Sequence, residues 1–264
     1  MKGAVIQPSY IPWRGYFDQI YKADVFVFYD NVQYDKHGWR NRNRIKTHQG
    51  LQWLTIPVLS GGNVVDQLLV NQVRIDSRSK WNVKHWQTLQ QSYRRTPYFD
   101  YYAPLLKEFY SREWENLSDF TIELTIALAR ELGIRHTQFV RSSSLQATAS
   151  KTERLVNLLQ QLNITHYYSG PSAKSYIEDE LFERAKIKLE YMVYDYPEYP
   201  QLHPPYSPYV TVLDLMFMLG KQAGDYIWGN LHLFGQAQIN DEFNTDLYKR
   251  ENLRGNFEPA AIPA

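Results

Sequence analysis

Residues 1–30 read Met1-Lys2-Gly3-Ala4-Val5-Ile6-Gln7-Pro8-Ser9-Tyr10-Ile11-Pro12-Trp13-Arg14-Gly15-Tyr16-Phe17-Asp18-Gln19-Ile20-Tyr21-Lys22-Ala23-Asp24-Val25-Phe26-Val27-Phe28-Tyr29-Asp30. Ala4–Ile6 is a short apolar run that stops at Gln7-Pro8. Pro8 and Pro12 bracket a stiff loop, because each proline fixes its own φ and disfavours helix just before it. From Arg14 to Lys22, Tyr16, Phe17, Ile20 and Tyr21 fall on one side of a helix. Asp24–Asp30 is almost continuously apolar and β-rich, the pattern of a strand buried on both faces. Strand, helix and strand in so short a span predict a βαβ unit and a parallel sheet.

Outward from this unit, Asn31–Gln49 reads as a polar, aromatic-basic loop, and Leu51–Leu59 as a third strand. Ser60-Gly61-Gly62-Asn63 reads as a turn and Gln67–Ile75 as a further strand. Lys80–Tyr110 is helical, with breaks expected at Pro97 and Pro104. Ser118 is the expected N-cap of a helix that ends at Leu132, with Gly133 just beyond it. Thr137–Val140, Ile164–Ser169 and Ile187–Tyr194 are strand candidates. Ser150 and Glu153 have the spacing of a capping box before a Leu155, Leu158, Leu159, Leu162 stripe. Thr211–Leu219 is an apolar helix stopped by Gly220. The fold class is α/β, a mainly parallel Rossmann-like sheet with additional helices. One domain is expected over residues 1–229, with a helical insertion at about 78–132 and a C-terminal extension or tail over 230–264.

The 264 residues carry 29 basic and 28 acidic side chains, so net charge supplies no attraction to nucleic acid or membrane, and neither is an expected partner. There is no cysteine, which excludes disulfides, thiolate metal sites and cysteine nucleophiles. No metal-ligand spacing stands out. No apolar stretch approaches the about 18 residues of a membrane span. The first seven residues, cut short by Pro8, do not read as a signal peptide, and a cytoplasmic protein is expected.

In an open parallel sheet, ligands bind past the carboxyl ends of the strands. That rule selects Gln7, Tyr10, Trp13, Gly15 and Tyr16 after the first strand, with Gly15 read as room for close backbone approach beside a helix N-terminus. After the second strand it selects Asp30 and Gln33, then Asn41, Arg42, Arg44 and Lys46. The two arginines suit a carboxylate or phosphate. After the strand ending at Ser169 it selects Ser169, Gly170, Lys174 and Tyr176. The stretch Tyr194–Tyr209 holds five prolines and five tyrosines in sixteen residues and reads as a stiff wall. It contributes Gln201, and His203 as a candidate general base beside Asp30. Asp214 lies in an apolar helix and needs a partner. The opening also resembles the α/β scaffold of nucleotidyl-transfer enzymes, with Trp13-Arg14-Gly15-Tyr16 where that scaffold has His-x-Gly-His; both histidines are absent.

Met1–Pro8, Pro12–Asp18, Asp24–Phe28, Trp39–Lys46, Tyr168-Ser169-Gly170, Tyr199-Pro200-Gln201 and Asp214–Phe217 together resemble the WbqC-like protein family over about residues 1–229. The resemblance implies a bacterial protein of O-antigen or related glycan biosynthesis, and aminoacyl transfer to an amino sugar is the activity suggested for the family. Three functional readings follow. The first is a transferase moving an acyl or aminoacyl group to an amine, with small-molecule donor and acceptor and an aminoacylated or acylated carrier protein as a possible donor. The second is ATP-dependent carboxylate activation, with ATP as cofactor and Lys46 and Lys174 on its phosphates. The third is a non-catalytic binding protein of the same pathway.

Overall fold

The computed structural model describes residues 1–36, 38–59, 68–147 and 149–229. The expected turn Ser60–Asn63 and the expected tail 230–264 lie outside the described residues. The opening forms as its sequence dictates: β1 (Lys2–Ile6), α1 (Arg14–Lys22) and β2 (Val25–Phe28). β2 is buried along its whole length, and its side chains alternate between two cores. Phe26 and Phe28 join one, with Tyr16, Phe17 and Ile20 of α1, while Val25 and Val27 join the other. Each large side chain so buried contributes about 2 kcal/mol against exposure.

The remaining elements are β3 (Arg42–Thr47), β4 (Gly50–Thr55), α2 (Trp81–Tyr93), α3 (Phe99–Ser111), α4 (Leu117–Glu131), β5 (Gln138–Arg141), α5 (Lys151–Gln161), β6 (His166–Ser169), α6 (Asp179–Arg184), β7 (Lys188–Tyr191), α7 (Val212–Leu219) and α8 (Asp225–Trp228). Five strands form one sheet in the order β5-β2-β1-β6-β7, every neighbouring pair parallel. Helices cover both faces: α1, α4 and α7 contribute to the core of Phe26, and α5 and α6 to that of Val27. The fold is α/β and Rossmann-like. Strand order runs outward from β1 in both directions, so the chain reverses its winding between β1 and β6.

Several local expectations are corrected. Arg42–Thr47 is a strand, not a loop, and it pairs antiparallel with β4 as a two-stranded hairpin apart from the sheet. Its polar character hides a strand in which Asn43 and Ile45 are buried between half-buried Arg42 and Arg44, and Lys46 and Thr47 are buried as well. The expected third strand ends at Thr55 and never joins the parallel sheet. Within the expected strand Gln67–Ile75, the described part is a 3₁₀ turn at Val70–Gln72 with isolated bridges on either side. Pro104 lies inside α3 rather than ending it.

The cap of α4 is Asn116, whose Oδ1 accepts from the Ser118 N–H at 2.9 Å; Ser118 itself is the second residue of the helix. Ser150 precedes α5 without a side-chain cap bond. The chain enters that helix through left-handed Ala149 and Lys151, φ +75° and +50°, which does not form the capping box its sequence spells. Gly133, φ +85°, does end α4 in the left-handed conformation that glycine tolerates best. No helix among the described residues is long and apolar enough to cross a membrane.

Candidate functional site

Past the carboxyl ends of β1 and β6 lies a cleft of about 850 Å³. β1 delivers Gln7 to its floor, β6 delivers Ser169 and Gly170, and α1 delivers Trp13, Tyr16 and Gln19 to one side. The segment before β3 contributes Asp35, Trp39 and Arg40, and β3 itself contributes Asn43 and Arg44. Tyr194, Pro208, Tyr209 and Val210 close it from the proline-rich stretch, and Ser172 and Tyr176 from the turn after β6.

Backbone anchors hold this floor. The Gln7 carbonyl accepts from Arg40 Nη1 at 3.0 Å and from the Tyr16 hydroxyl at 3.1 Å. With its main chain so occupied, Gln7 presents an amide that makes no hydrogen bond to the described residues. Asn43 Nδ2 donates to the carbonyls of Tyr10 and Ile11 at 3.1 and 2.8 Å. It thereby holds Ile11 at φ +35°, a left-handed conformation costly for a β-branched residue. Gln19 donates to the Tyr194 hydroxyl, and its own Oε1 is buried without a partner.

The charged groups on the lining are Arg40, Arg44 and Asp35. Burial lowers the Arg40 pKa from its usual value, and Tyr16, Asp35 and Tyr34 oppose that shift. An arginine starts so high that it keeps its proton. Arg44 has a different environment. Its guanidinium lies 5.4 Å from the Trp39 ring, 5.3 Å from Trp53 and 5.5 Å from Tyr209. No carboxylate among the described residues makes an ion pair with it.

Of the residues selected from the sequence, Gln7, Trp13, Tyr16, Arg44, Ser169, Gly170 and Tyr176 share the cleft lining. The others are elsewhere. Tyr10 is fully buried, bonded to His85 Nδ1 at 2.8 Å and to the Tyr110 hydroxyl at 2.5 Å. Asp30 is fully buried and hydrogen-bonded at both oxygens: Oδ1 accepts from Ser142 Oγ and the Ser143 N–H, and Oδ2 from Ser143 Oγ. It clamps the ends of β2 and β5 and lies outside the cleft lining.

His203 is outside the lining, with Nε2 at 3.3 Å from the Ser92 carbonyl of α2 and its ring beside His48. That placement leaves it apart from the residues that line this cleft. Lys46 is buried and donates to the Pro205 carbonyl. Lys174 is exposed, with Nζ 5.0 Å from the Tyr191 ring. Asn41 braces the Ile56 carbonyl at 2.9 Å, Gln33 is exposed in a bridge to Leu69, and Arg42 lies over Trp53 at 4.7 Å. Gly15 does not admit a ligand. The Trp13 indole occupies the space a Cβ would take.

Gln201 and Asp214 form a buried network under the proline-rich wall. Asp214 accepts from Tyr93 at 3.0 Å, Tyr199 at 2.8 Å and Gln201 at 2.9 Å. Burial pushes its pKa up to about 6, against the pull of those donors and of Lys46. Sequence reasoning passed over Asp35, Arg40 and Asn43, although all three lie in the stretch it singled out. Reading that stretch as a strand would have separated inward Asn43 from Arg42 and Arg44 on either side. No three histidine or carboxylate residues among those described come together as metal ligands.

A sheet wound on both faces, with a polar-aromatic cleft where its winding reverses, defines a Rossmann-like α/β protein with a crevice at the switch point. The chain belongs to the WbqC-like protein family, whose model matches residues 7–226. It is 42% identical over 228 residues to the uncharacterized protein Rv1507c of Mycobacterium tuberculosis, a match covering 86% of this chain and 97% of that one. No solved structure matches the chain.

Proposed function

We propose that this protein is a small-molecule transferase that moves an acyl or aminoacyl group onto the amine of a sugar or similar acceptor in glycan or natural-product assembly. The observation that carries the reading is the lining of the switch-point cleft: one carboxylate, Asp35, faces a floor of amides and hydroxyls between aromatic walls. Amides and hydroxyls suit a polyhydroxylated acceptor, and aromatic walls suit the faces of a sugar ring. The acceptor nitrogen attacks the donor carbonyl, a C–N bond forms, and the bond to the leaving group breaks. Asp35 takes the proton shed by the nitrogen, and the leaving group departs with the electron pair and is protonated in turn. Arg40 and Arg44 hold the anionic part of donor or acceptor.

The carboxylate-activating alternative fares worse on the same geometry. It needs Lys46 and Lys174 on phosphates, and no lysine is among the residues lining the cleft. The test is a mass-spectrometric assay with aminoacyl and acyl thioesters as donors and free and nucleotide-linked amino sugars as acceptors. Amide product that disappears in Asp35→Asn supports the reading. Pyrophosphate release from ATP in the presence of a carboxylate, with no thioester use, overturns it.

A further inference from the structure

Arg44 lines the cleft, and its surroundings differ from those of the arginines held in ion pairs. Arg74, Arg78, Arg112, Arg141 and Arg184 each face a carboxylate. Arg44 instead faces three aromatic rings, and its Nε is buried without a hydrogen-bond partner. Rings stabilise a cation through their quadrupole, but they leave its N–H groups unsatisfied. The guanidinium is therefore fixed in position with hydrogen-bonding capacity unspent. An anion with several oxygens is the complement of such a group.

The rings themselves are left open to solvent. Trp39 is 43% exposed, Trp53 44% and Tyr209 65%, although each is large enough to stabilise the fold if buried. Trp39 and Trp53 lie 5.2 Å apart at an interplanar angle of 36°. Arg42, over Trp53 at 4.7 Å, adds a second positive charge to the same patch. Two of the three rings, Trp39 and Tyr209, also line the cleft, so the patch is continuous with it. Exposed flat rings beside a fixed cation match a ligand in which a flat heterocycle is joined to phosphate.

We infer that the cleft takes a nucleoside diphosphate-linked substrate, with the base on the Trp39–Trp53 platform, the diphosphate at Arg44, and the group carried on the diphosphate inside the cleft toward Gln7 and Ser169. The inference rests on the transferase reading only for which substrate this is, namely the sugar acceptor. The dimensions agree. The 850 Å³ cleft is far larger than a lone aminoacyl group needs, and lies in the range that encloses ligands of several rings.

Binding is measured by quenching of tryptophan fluorescence and by calorimetry, with UDP, GDP, ADP, CDP, dTDP, inorganic pyrophosphate, uridine and N-acetylglucosamine as the probes. The expected result is saturable binding of at least one nucleoside diphosphate, at least ten-fold tighter than pyrophosphate and than the free nucleoside. Raising the salt weakens it, since the contact is partly exposed. Arg44→Ala weakens that binding ten-fold or more, and Trp53→Ala weakens it several-fold, both with wild-type circular dichroism and Tm. Arg44→Lys restores only part of the affinity, because an ammonium does not fork around oxygens.

Three outcomes overturn the inference: no nucleoside diphosphate binds at millimolar concentration, pyrophosphate binds as tightly as any of them, or Arg44→Ala leaves the affinity unchanged. The assay needs no turnover, which keeps it separate from the transferase reading. Amide formation on a free amino sugar by a protein with no nucleotide affinity overturns this inference alone. Nucleotide binding without any acyl transfer overturns the transferase reading alone.

Discussion

The indole of Trp13 lies across the Cα of Gly15, so close that a Cβ at position 15 would overlap its six-membered ring. The ring is held from its other side by an edge-on contact with Tyr194, centroid to centroid 4.8 Å. Trp13 therefore forms a wall of the cleft because residue 15 has no side chain. Gly15→Ala is expected to displace the indole and cost about 1–3 kcal/mol by overpacking. A double-mutant cycle with Trp13→Ala in urea should recover most of that cost, since the clash then has no partner. Additive losses would remove the indole from the explanation.

Gly170 is the opposite case. A Cβ there meets nothing nearer than the Tyr194 hydroxyl at 3.8 Å, and its φ of −66° suits any residue. Gly170→Ala should raise stability by about 0.4–1 kcal/mol through the unfolded chain. Gly170→Val should fold as well while filling the cleft, and so weaken ligand binding or turnover. Unchanged activity in Gly170→Val would place the substrate elsewhere.

The two helix starts that look alike in sequence should respond differently. Asn116 Oδ1 accepts from both the N–H and the hydroxyl of Ser118, at 2.9 and 2.7 Å. Asn116→Ala should cost about 1–2 kcal/mol by loss of this cap. Ser150→Ala should stay within about 0.5 kcal/mol, as for an ordinary surface substitution. Urea melts of both variants decide it; a larger loss for Ser150→Ala would reverse the assignment.

Two buried groups oppose each other in acid. His85 is held down to about 4 by burial. The unfolded chain takes up its proton first as pH falls below about 6.5, so His85 makes stability fall over that range. Asp214 is raised to about 6 by burial, so the folded state takes up its proton before the unfolded chain does, and stability rises as pH falls from 6. Each contribution is worth up to about 3 kcal/mol at roughly 1.4 kcal/mol per unit, and over pH 6 to 4 they largely cancel. Asp214→Asn removes the second and should make the loss of stability on acidification steeper by a similar amount. Parallel stability curves for wild type and Asp214→Asn between pH 7 and 4 would sink this account.

Asp30 and His203 should behave as structural residues. Asp30→Asn sets an amide N–H against donors from Ser142 and Ser143 and should cost about 2–4 kcal/mol, as for a buried charge-assisted network. His203→Gln should keep full turnover, because its hydrogen bond among the described residues reaches Ser92, away from the cleft. Activity lost in His203→Gln with stability unchanged would restore it as a base.

Much of the architecture is legible along the chain. The Val-Phe alternation of β2, the apolar face of α1 and the stops at Gly133 and Gly220 are local patterns. Each records which way a side chain must turn for its own element to be buried. The rule that ligands sit past parallel strand ends then put Gln7 and Ser169 together, though they are far apart in sequence.

Local pattern could not say where a polar side chain finds its partner. Arg14 reaches the Pro197 carbonyl and the Tyr206 hydroxyl, and Lys46 reaches Pro205, each across more than a hundred residues. Those bonds turn Lys46 inward, and shorter-range bonds to Ser207 and Asp214 do the same for Gln201, away from the ligand role their types suggest. They also pin the proline-rich segment, which carries Tyr194 and Tyr209 to the cleft. The β3–β4 hairpin is the same lesson in backbone form, since charged Arg42-Asn43-Arg44 looks like a loop until Asn43 is seen holding the turn at Ile11. The apolar periodicity of the chain by itself determined the class of sheet, and with it the end of the sheet at which the cleft opens. Which side chains face the cleft was decided only by tertiary structure, because most buried polar groups are paired and the partner of a side chain such as Arg14 or Lys46 lies on a distant part of the chain.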